Sequence, residues 1–345
     1  MISRISTCVT ALILISSIFA SDQRINALGG NAGFWPEDDQ NVYMFPATMH
    51  NFNLAQIQDV SGTSKATFLF GEGTKYGFMM DQGSDNLVNF GYGSGAWGLL
   101  LGLDMDSQEQ GDVKSSSSTI SASFGMGTGF GEVGLHFATM SEDDGNADTD
   151  DPSGMHLGFD LRREQALWQF SHMLFSFDMN SSDNASATQK KDSDMKMTLD
   201  LYRHWTLGES SDLLFTLGFV YASGSTETTD GGDNNTKEDR SAIWLPNFTF
   251  AVETNLLEWA TVRAGVNNAH VLSSSTKTTI GSESTEESDN GGSIHSLMFG
   301  LGLKYGGFNL DIDLAPAFFV NPVNYITGNN VNNSLASKAT ITYAW

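Results

Sequence analysis

The stretch Leu213-Leu-Phe-Thr-Leu-Gly-Phe-Val-Tyr221 decides the fold class, because its large apolar side chains return at every second position. The apolar residues on one side of this stretch are Leu213, Phe215, Leu217, Phe219 and Tyr221. In an extended strand such a period of two puts them all on one face, whereas a helix would mix them with their neighbours. The stretch therefore predicts a β-strand with one apolar face.

The same alternation recurs from about residue 95 onward, in segments of roughly 10–13 residues. The opposite face of these segments carries charged side chains in mid-strand. In a membrane barrel that face lines the lumen, where the charges either pair in a salt-bridge network or line a wet pore. The candidate lumen-lining residues are Glu132, His136, Asp160, Arg162, Lys196, Asp200, Glu253, Arg263, Lys304, Asp311, Asp313 and Lys338.

Long and short connections alternate along the chain. The long ones lie near 141–153, 180–193, 224–240, 272–292 and 316–334, and are polar and mostly acidic. The short ones lie near 127–130, 163–166, 206–211, 254–258 and 305–307. Antiparallel strands that cross an outer membrane have short periplasmic turns and long extracellular loops, so this alternation predicts a transmembrane barrel. A β-sandwich has no reason to place all its long loops at one end.

Tryptophans provide an independent indication, because five of them fall next to a short connection or at the chain end. They are Trp97, Trp168, Trp205, Trp259 and Trp345. Indole rings favour the membrane interface, where an apolar body and a polar N–H are both accommodated. We therefore expect an aromatic girdle at the short-turn end of the barrel.

Composition limits the alternatives. The formal net charge of −24 excludes a protein that holds nucleic acid through a basic surface. Mean hydropathy is −0.20, and no run in the body of the chain is long enough for a helical membrane span. The prediction is thus an all-β antiparallel barrel of about 14 strands, with 12 or 16 as alternatives. Four short segments near 54–60, 65–70, 76–81 and 87–90 are the candidates for its first strands.

The first residues have the pattern of a secretory signal peptide. Arg4 precedes the apolar run from Val9 to Phe19, and Ala20 stands before a polar stretch. The only cysteine, Cys8, lies within this leader, so neither disulfides nor thiolate metal sites are expected after it. We expect a signal peptide at 1–20, a plug-like periplasmic segment at 21–50 and the barrel at 51–345.

Residues 24–47 carry a motif with a Leu-Gly-Gly-x-Ala turn, an Asp-Asp pair and a Pro-Ala step. The matching positions are Leu28, Gly29, Gly30, Ala32, Asp38, Asp39, Pro46 and Ala47. This motif resembles the N-terminal signature of the long-chain fatty-acid transporters (FadL-type) and related PorV-like barrels, although Phe45 and Thr48 depart from it. The resemblance implies a plug or gate, with Gly29, Gly30, Asp38, Asp39 and Pro46 as its candidate residues, and passage of hydrophobic compounds. The alternative is a simple tight turn capped by the acidic pair.

Motifs for catalysis or metal binding are missing from the sequence. No hydrolase elbow, zinc-protease helix or phosphate loop occurs. The histidines of the predicted strands are scattered, without a recognisable nucleophile nearby: His136, His156, His172, His204 and His295. We therefore expect no catalytic residues, no cofactor and no metal. The acidic runs at 142–144 and 148–151 are interpreted as solvated surface, with divalent bridging to lipopolysaccharide as a second hypothesis.

The last segment, Leu335 to Trp345, alternates in the same way and stops at an aromatic residue. It resembles the closing strand of outer-membrane barrels, which implies recognition by the barrel assembly machinery. The expected function is a passive outer-membrane channel or transporter for small solutes, hydrophobic ones included. The alternatives are a porin for polar solutes and a non-transporting surface barrel that binds a partner. The expected partners are outer-membrane lipid, lipopolysaccharide and a small hydrophobic ligand.

Overall fold

The computed structural model describes residues 21–59, 64–81, 87–110, 113–143, 151–185, 189–229, 235–316, 319 and 336–345. The predicted signal peptide lies outside these residues. Within them, no helix is long and apolar enough to cross a membrane.

Within these described residues, seventeen strands form a single sheet, and neighbouring strands run antiparallel. The strands are β1 Leu54–Gln58, β2 Lys65–Phe70, β3 Thr74–Asp81, β4 Val88–Ser94, β5 Trp97–Gln110, β6 Val113–Thr128, β7 Gly131–Asp143, β8 Ser153–Leu167, β9 Phe170–Ala185, β10 Gln189–Leu207, β11 Ser211–Thr229, β12 Thr236–Leu257, β13 Ala260–Ile280, β14 Glu283–Asp289, β15 Ser293–Tyr305, β16 Phe308–Leu314 and β17 Ala336–Ala344.

The sheet closes into a barrel through β1. This strand pairs with β2 on one side and with β17 on the other, so that Leu54 lies opposite both Leu69 and Ala344. The backbone groups of the first and last strands are thereby satisfied within the sheet. A closed sheet can cross a bilayer for this reason, whereas an open sheet edge cannot.

Over the part of the chain that the structure describes, the barrel has 16 strands with one extra strand, so the predicted count of about 14 is wrong and the alternative of 16 is correct. The extra strand is β14, which pairs with residues 274–280 of β13, while β15 pairs with residues 260–270 of β13. All four short N-terminal candidates are strands. They were hard to count because β1 has only 5 residues and β2 only 6, too few for a clear alternation.

Several of the expected long loops are paired strands instead. The ladder of β9 and β10 continues to Ala185 opposite Gln189, and that of β11 and β12 continues to Thr228 opposite Thr236. Beyond the membrane both faces of a strand meet water, so the apolar alternation stops although the backbone pairing goes on. Short turns occur at the other end of the barrel, as predicted, for example between β15 and β16.

The two faces of the wall differ in polarity. Apolar side chains on the outside are exposed, among them Leu135 at 48%, Phe250 at 42% and Ile341 at 51%. The alternate positions, such as Asp160, Arg263 and Thr340, are buried. An apolar outer face around a polar inner face is the pattern of a barrel that crosses a membrane.

Residues 21–51, which we call the inner segment, fold into four short helical turns. They are α1 Asp22–Ala27, a 3₁₀ turn at Ala32–Phe34, α2 Asn41–Met44 and a 3₁₀ turn at Pro46–Asn51. One apolar cluster joins Phe34 and Phe45 of this segment to Leu174 and Leu214 of the wall. A second joins Met49 to residues of β2, β3 and β5. The core of the protein therefore lies between the inner segment and the inward face of the barrel.

Candidate functional site

The inner segment lies at the short-turn end of the lumen. The backbone of Pro46 approaches Gly98, close to the start of β5, and the carbonyl oxygen of Met44 approaches Gly134, close to the start of β7. A Cβ atom at either glycine would collide with that backbone. On another part of the wall, Gly265 of β13 and Gly300 of β15 lie against Ala27. The segment thus spans the lumen from wall to wall.

Arg24 of α1 is the centre of a buried ion-pair network. Its Nη1 lies 2.5 Å from Asp38 Oδ2, and its Nη2 lies 2.7 Å from Glu253 Oε2 on β12. Arg263 on β13 continues the network, with its Nε 2.9 Å from Glu253 Oε1 and its Nη1 2.6 Å from Asp311 Oδ1 on β16. The wall and the inner segment therefore neutralise each other's charges.

Asp311 also accepts hydrogen bonds that tie the start of the inner segment to the wall. Ser21 donates from Oγ to Asp311 Oδ2 at 3.0 Å, and Asn309 donates to the same oxygen at 2.6 Å. Near by, Gln23 and Thr340 are hydrogen-bonded through their side chains. These ion pairs and hydrogen bonds offset part of the free-energy cost of burying the carboxylate charge.

The other anchor is Arg162 on β8. Its Nη2 lies 2.6 Å from Glu132 Oε2 on β7, and its Nη1 donates to Asn41 Oδ1 at 2.8 Å and to the Gly33 carbonyl at 3.1 Å. The guanidinium also lies over the Phe45 ring, 4.7 Å from its centre. One planar side chain therefore holds three points of the inner segment, which a lysine could not do.

The residues of the motif at 24–47 differ in their contacts with the barrel wall. Gly29 has φ +108° and its carbonyl accepts a hydrogen bond from Asn267, whereas Gly30 has φ +80° and open space around it. Asp38 and Asp39 are buried; Asp39 accepts from Gln56 of β1 at 3.3 Å. Burial raises the pKa of Asp38 to about 7, while its ion pair with Arg24 opposes the rise. Pro46 opens the last 3₁₀ turn.

A cavity of about 870 Å³ lies in the lumen above the inner segment. Its floor includes Asp22, Asn26, Gln40 and Tyr43, and Lys65 of β2 bridges Asp22 and Asp81 at its side. Hydroxyl, amide and imidazole groups line much of the wall: Thr119, Ser121, Ser123, His136, His156 and Asn180. Ile25, Leu100, Phe137, Met140 and Met155 add apolar surface. The chamber is therefore lined by polar and apolar groups together.

A chain of hydrogen bonds crosses four strands in this wall. His136 Nδ1 lies 2.9 Å from Ser123 Oγ, and His136 Nε2 lies 3.1 Å from Asp160 Oδ2. Ser176 donates to the other oxygen of Asp160 at 2.5 Å. The barrel register makes these contacts, because Ser123 lies directly opposite His136 and Asp160 lies opposite Ser176.

The remaining lumen candidates stand apart from these groups. Lys338 on β17 pairs with Asp59 at 2.8 Å, and Asp313 is hydrogen-bonded to Asn26 of α1. Asp200 is buried on β10 and its Oδ1 has no hydrogen-bond partner among the described residues. Lys196, on the same face of β10, is exposed, and Lys304 of β15 is half-buried. The structure thus brings only some of the predicted lumen residues into contact with one another, and a lumen-lining role for the whole set stays a prediction.

The five tryptophans all lie at the short-turn end. Trp168 is 85% exposed in the turn between β8 and β9, and Trp259 is 56% exposed between β12 and β13. Trp97 begins β5, Trp205 is near the end of β10 and Trp345 follows β17. Phe308, Tyr343 and Trp345 form a continuous aromatic contact beside them. A membrane-interface role for this ring stays a prediction.

The sequence did not identify three important residues. Arg24 and Asn41 stand in or beside the motif, but nothing in their spacing indicates that their partners are on β8 and β12. Ser123 is 13 positions from His136, too far for a recognisable motif. Pairing the predicted strands in register would have found it. Among the described residues, no group of three or more His, Cys, Asp or Glu is placed to hold a metal ion.

Comparisons with known proteins gave superpositions with low TM-scores. No family model matches the chain, and no curated protein matches it. The ferric yersiniabactin uptake receptor FyuA from Yersinia pestis superimposes with a TM-score of 0.42 at 10% identity, over 76% of this chain and 46% of that one. The siderophore receptor PiuA from Acinetobacter baumannii gives a TM-score of 0.38 at 8% identity, over 75% and 48%. Outer-membrane expressed OmpT of Vibrio cholerae gives 0.27 at 9%, over 71% and 94%.

The chain thus spans about half the length of the two receptors. What those receptors take up is a property of those proteins. The chain's own geometry, a closed antiparallel barrel with an apolar exterior and a polar lumen, is that of outer-membrane barrels, and the protein is located in the outer membrane. The resemblance of residues 24–47 to fatty-acid transporters stays a prediction.

Proposed function

We propose that the protein is an outer-membrane channel for the passive passage of small solutes, and that the inner segment acts as its plug. The observation that carries this proposal is the position of residues 21–51, held across the short-turn end of the lumen by the Arg24 and Arg162 networks. Above them a chamber of about 870 Å³ remains in the lumen. A chamber with a plug for its floor is suited to admitting solutes and limiting their exit.

The lining of the chamber offers contacts to small solutes that have both polar and apolar parts. Asn26, Gln40 and Asn180 present amide groups, and the strands add hydroxyl groups. Phe137, Met140 and Met155 add apolar surface beside them. Ligand pockets typically combine apolar surface with a few polar groups, so passage of small solutes is supported without a preference for one polarity.

Solute uptake by proteoliposomes tests this function. The barrel would be refolded into liposomes with residues 21–45 deleted, and swelling in an isotonic pentose would be compared with that of the intact chain. We expect slow swelling with the intact chain and fast swelling after the deletion. Insertion would be checked by the heat-dependent gel mobility typical of folded barrels.

A point variant controls for structural damage caused by the deletion. Arg24→Gln removes one charge from the plug, leaves Glu253 paired with Arg263, and should raise the swelling rate in part. The proposal would be wrong if neither variant admitted the pentose faster than the intact barrel. Entry of a long-chain fatty acid without entry of pentose would instead support the hydrophobic cargo.

A further inference from the structure

We infer that Ser123, His136 and Asp160 form an ester-hydrolysing site in the wall of the chamber, with Ser123 as the nucleophile. Ser123 and His136 both line the chamber, so a solute that enters it can reach them. The inference goes beyond channel function, since it assigns a chemical activity to the same chamber.

The hydrogen-bond geometry is that of an activated serine. Asp160 accepts from His136 Nε2 at 3.1 Å, which leaves Nδ1 of the neutral ring unprotonated. That nitrogen then accepts the Ser123 hydroxyl at 2.9 Å. A nucleophile within hydrogen-bond reach of a base, which is in turn oriented by a third group, is the arrangement that nucleophilic catalysis requires.

Asp160 is a positioning residue that is itself held in place. Its second oxygen accepts the Ser176 hydroxyl at 2.5 Å, so the carboxylate cannot rotate away from the imidazole without losing a hydrogen bond. The aspartate is 9% exposed, and its hydrogen bonds to His136 and Ser176 compensate for its burial. The pairings of β6 with β7, β7 with β8 and β8 with β9 hold the residues of this hydrogen-bond chain in register.

A second histidine in the same chamber provides an internal contrast. His156 Nε2 lies 3.3 Å from Asp178 Oδ1, which resembles the pair of His136 and Asp160. No serine hydroxyl among the described residues is hydrogen-bonded to the ring of His156. Of these two histidines, and among the described residues, His136 alone therefore has both an orienting carboxylate and a hydrogen-bonded serine.

The chemistry proceeds in two balanced steps. Ser123 Oγ attacks the ester carbonyl carbon while its proton passes to His136 Nδ1. The bond from carbon to the alkoxy oxygen then breaks, and the same proton leaves with the alcohol. Water attacks the acyl-serine next and gives its proton to His136, which returns it to Ser123 as the carboxylic acid departs.

The substrate class follows from the chamber. Its volume of about 870 Å³ and its mixture of hydroxyl, amide and apolar side chains fit a small ester with a short acyl chain. We therefore expect activity on short-chain esters.

Covalent labelling of the full-length folded barrel tests the inference. A fluorophosphonate probe would be added to the refolded protein, and the modified residue located by mass spectrometry. We expect a phosphonate on Ser123 with release of fluoride, together with hydrolysis of p-nitrophenyl acetate. Ser123→Ala should abolish both, and Ser121→Ala, a serine in the same wall, should leave both unchanged. A general base typically contributes about 10²–10⁴-fold, so His136→Gln should slow labelling by that factor.

Variants of His156 and Asp160 distinguish a loss of catalysis from a loss of folding. His156→Gln should leave the labelling rate unchanged, while Asp160→Asn should lower the maximal labelling rate without altering the probe concentration at half-saturation. An intact barrel that is not labelled at Ser123 overturns the inference, as does ester hydrolysis that survives Ser123→Ala. Neither result depends on solute passage, so the channel proposal stands or falls separately.

Discussion

At the residue scale, Arg263 pairs with two carboxylates, the buried Asp311 and the half-buried Glu253. It holds Glu253 and Asp311 at 2.9 and 2.6 Å, and all three are inside the barrel. Arg263→Gln would leave both carboxylates short of positive charge, and removing one partner of a buried pair typically costs about 3–5 kcal/mol. We expect a fall of that size in the free energy of unfolding, measured by guanidinium titration of the barrel in lipid vesicles.

Lys338→Gln is the matched control for this variant. Its ion pair with Asp59 has a similar distance of 2.8 Å, but the lysine side chain is 48% exposed. Water already solvates such a charge, so its removal should cost about 0–1 kcal/mol. Equal losses for Arg263→Gln and Lys338→Gln would contradict the view that burial makes the Arg263 network important.

Gly29 and Gly30 provide a second test at this scale. A Cβ atom on Gly29 would lie 2.5 Å from Thr249 Cγ2 at a φ of +108°, whereas Gly30 has open space at +80°. Gly29→Ala should therefore destabilise the protein by about 1–3 kcal/mol, and more than Gly30→Ala. Adding Thr249→Ser, which removes the colliding methyl group, should recover part of the loss in the same titration. No recovery would mean that the collision with Thr249 is not the cause.

Sequence reasoning at this scale found positions but not partners. The period of two predicted a polar face that includes Arg162, Arg263 and Asp311, and all three are buried, because strand alternation is a local property. The pairing of these residues with Arg24 and Asn41 depends on how residues 21–51 cross the lumen. That path is set by tertiary packing, which a local sequence pattern does not reveal.

At the scale of single elements, the inner segment depends on the fork of Arg162. The guanidinium reaches Glu132, Asn41 and the Gly33 carbonyl together. Arg162→Lys keeps the charge but cannot make these contacts at once, so we expect the inner segment to open more often. A loss of about 1.4 kcal/mol raises the open population tenfold, and trypsin cleavage after Arg24 should accelerate by at least about that factor.

Arg163→Lys is the neighbouring control. Its side chain points to the outer face, over the Phe130 ring at 4.0 Å, and has no contact with the inner segment among the described residues. Cleavage after Arg24 should be unchanged in this variant. Similar acceleration in both variants would show that the wall as a whole, and not the Arg162 fork, protects the segment.

Elements with a strong alternation were predictable, and those without it were not. β11 contains the stretch 213–221 and was assigned from it directly. The outer halves of β9 to β14 were taken for loops, because polar residues on both faces hide the period of two. β1 and β2 were uncertain because five or six residues hold too few repeats to count. Pairing on both sides, and not intrinsic pattern, makes these short segments strands.

At the scale of the whole molecule, the barrel and the inner segment depend on each other. Residues 21–51 have little structure that is not supported by the wall. The fold class was predictable because the leader pattern, the alternation and the loop asymmetry all indicated one architecture. The packing of residues 21–51 across the lumen was not, since it is a property of the assembled barrel.

The most direct test of the plug is the single-channel conductance of the refolded barrel in a planar bilayer, with and without residues 21–45. The deletion retains Pro46–Asn51, which packs against β3 to β6, so the wall keeps its own support. We expect the intact chain to be silent or to open rarely, and the deleted chain to carry steady current. A steady current of the same size through both, with insertion verified, would contradict the claim that the inner segment closes the lumen.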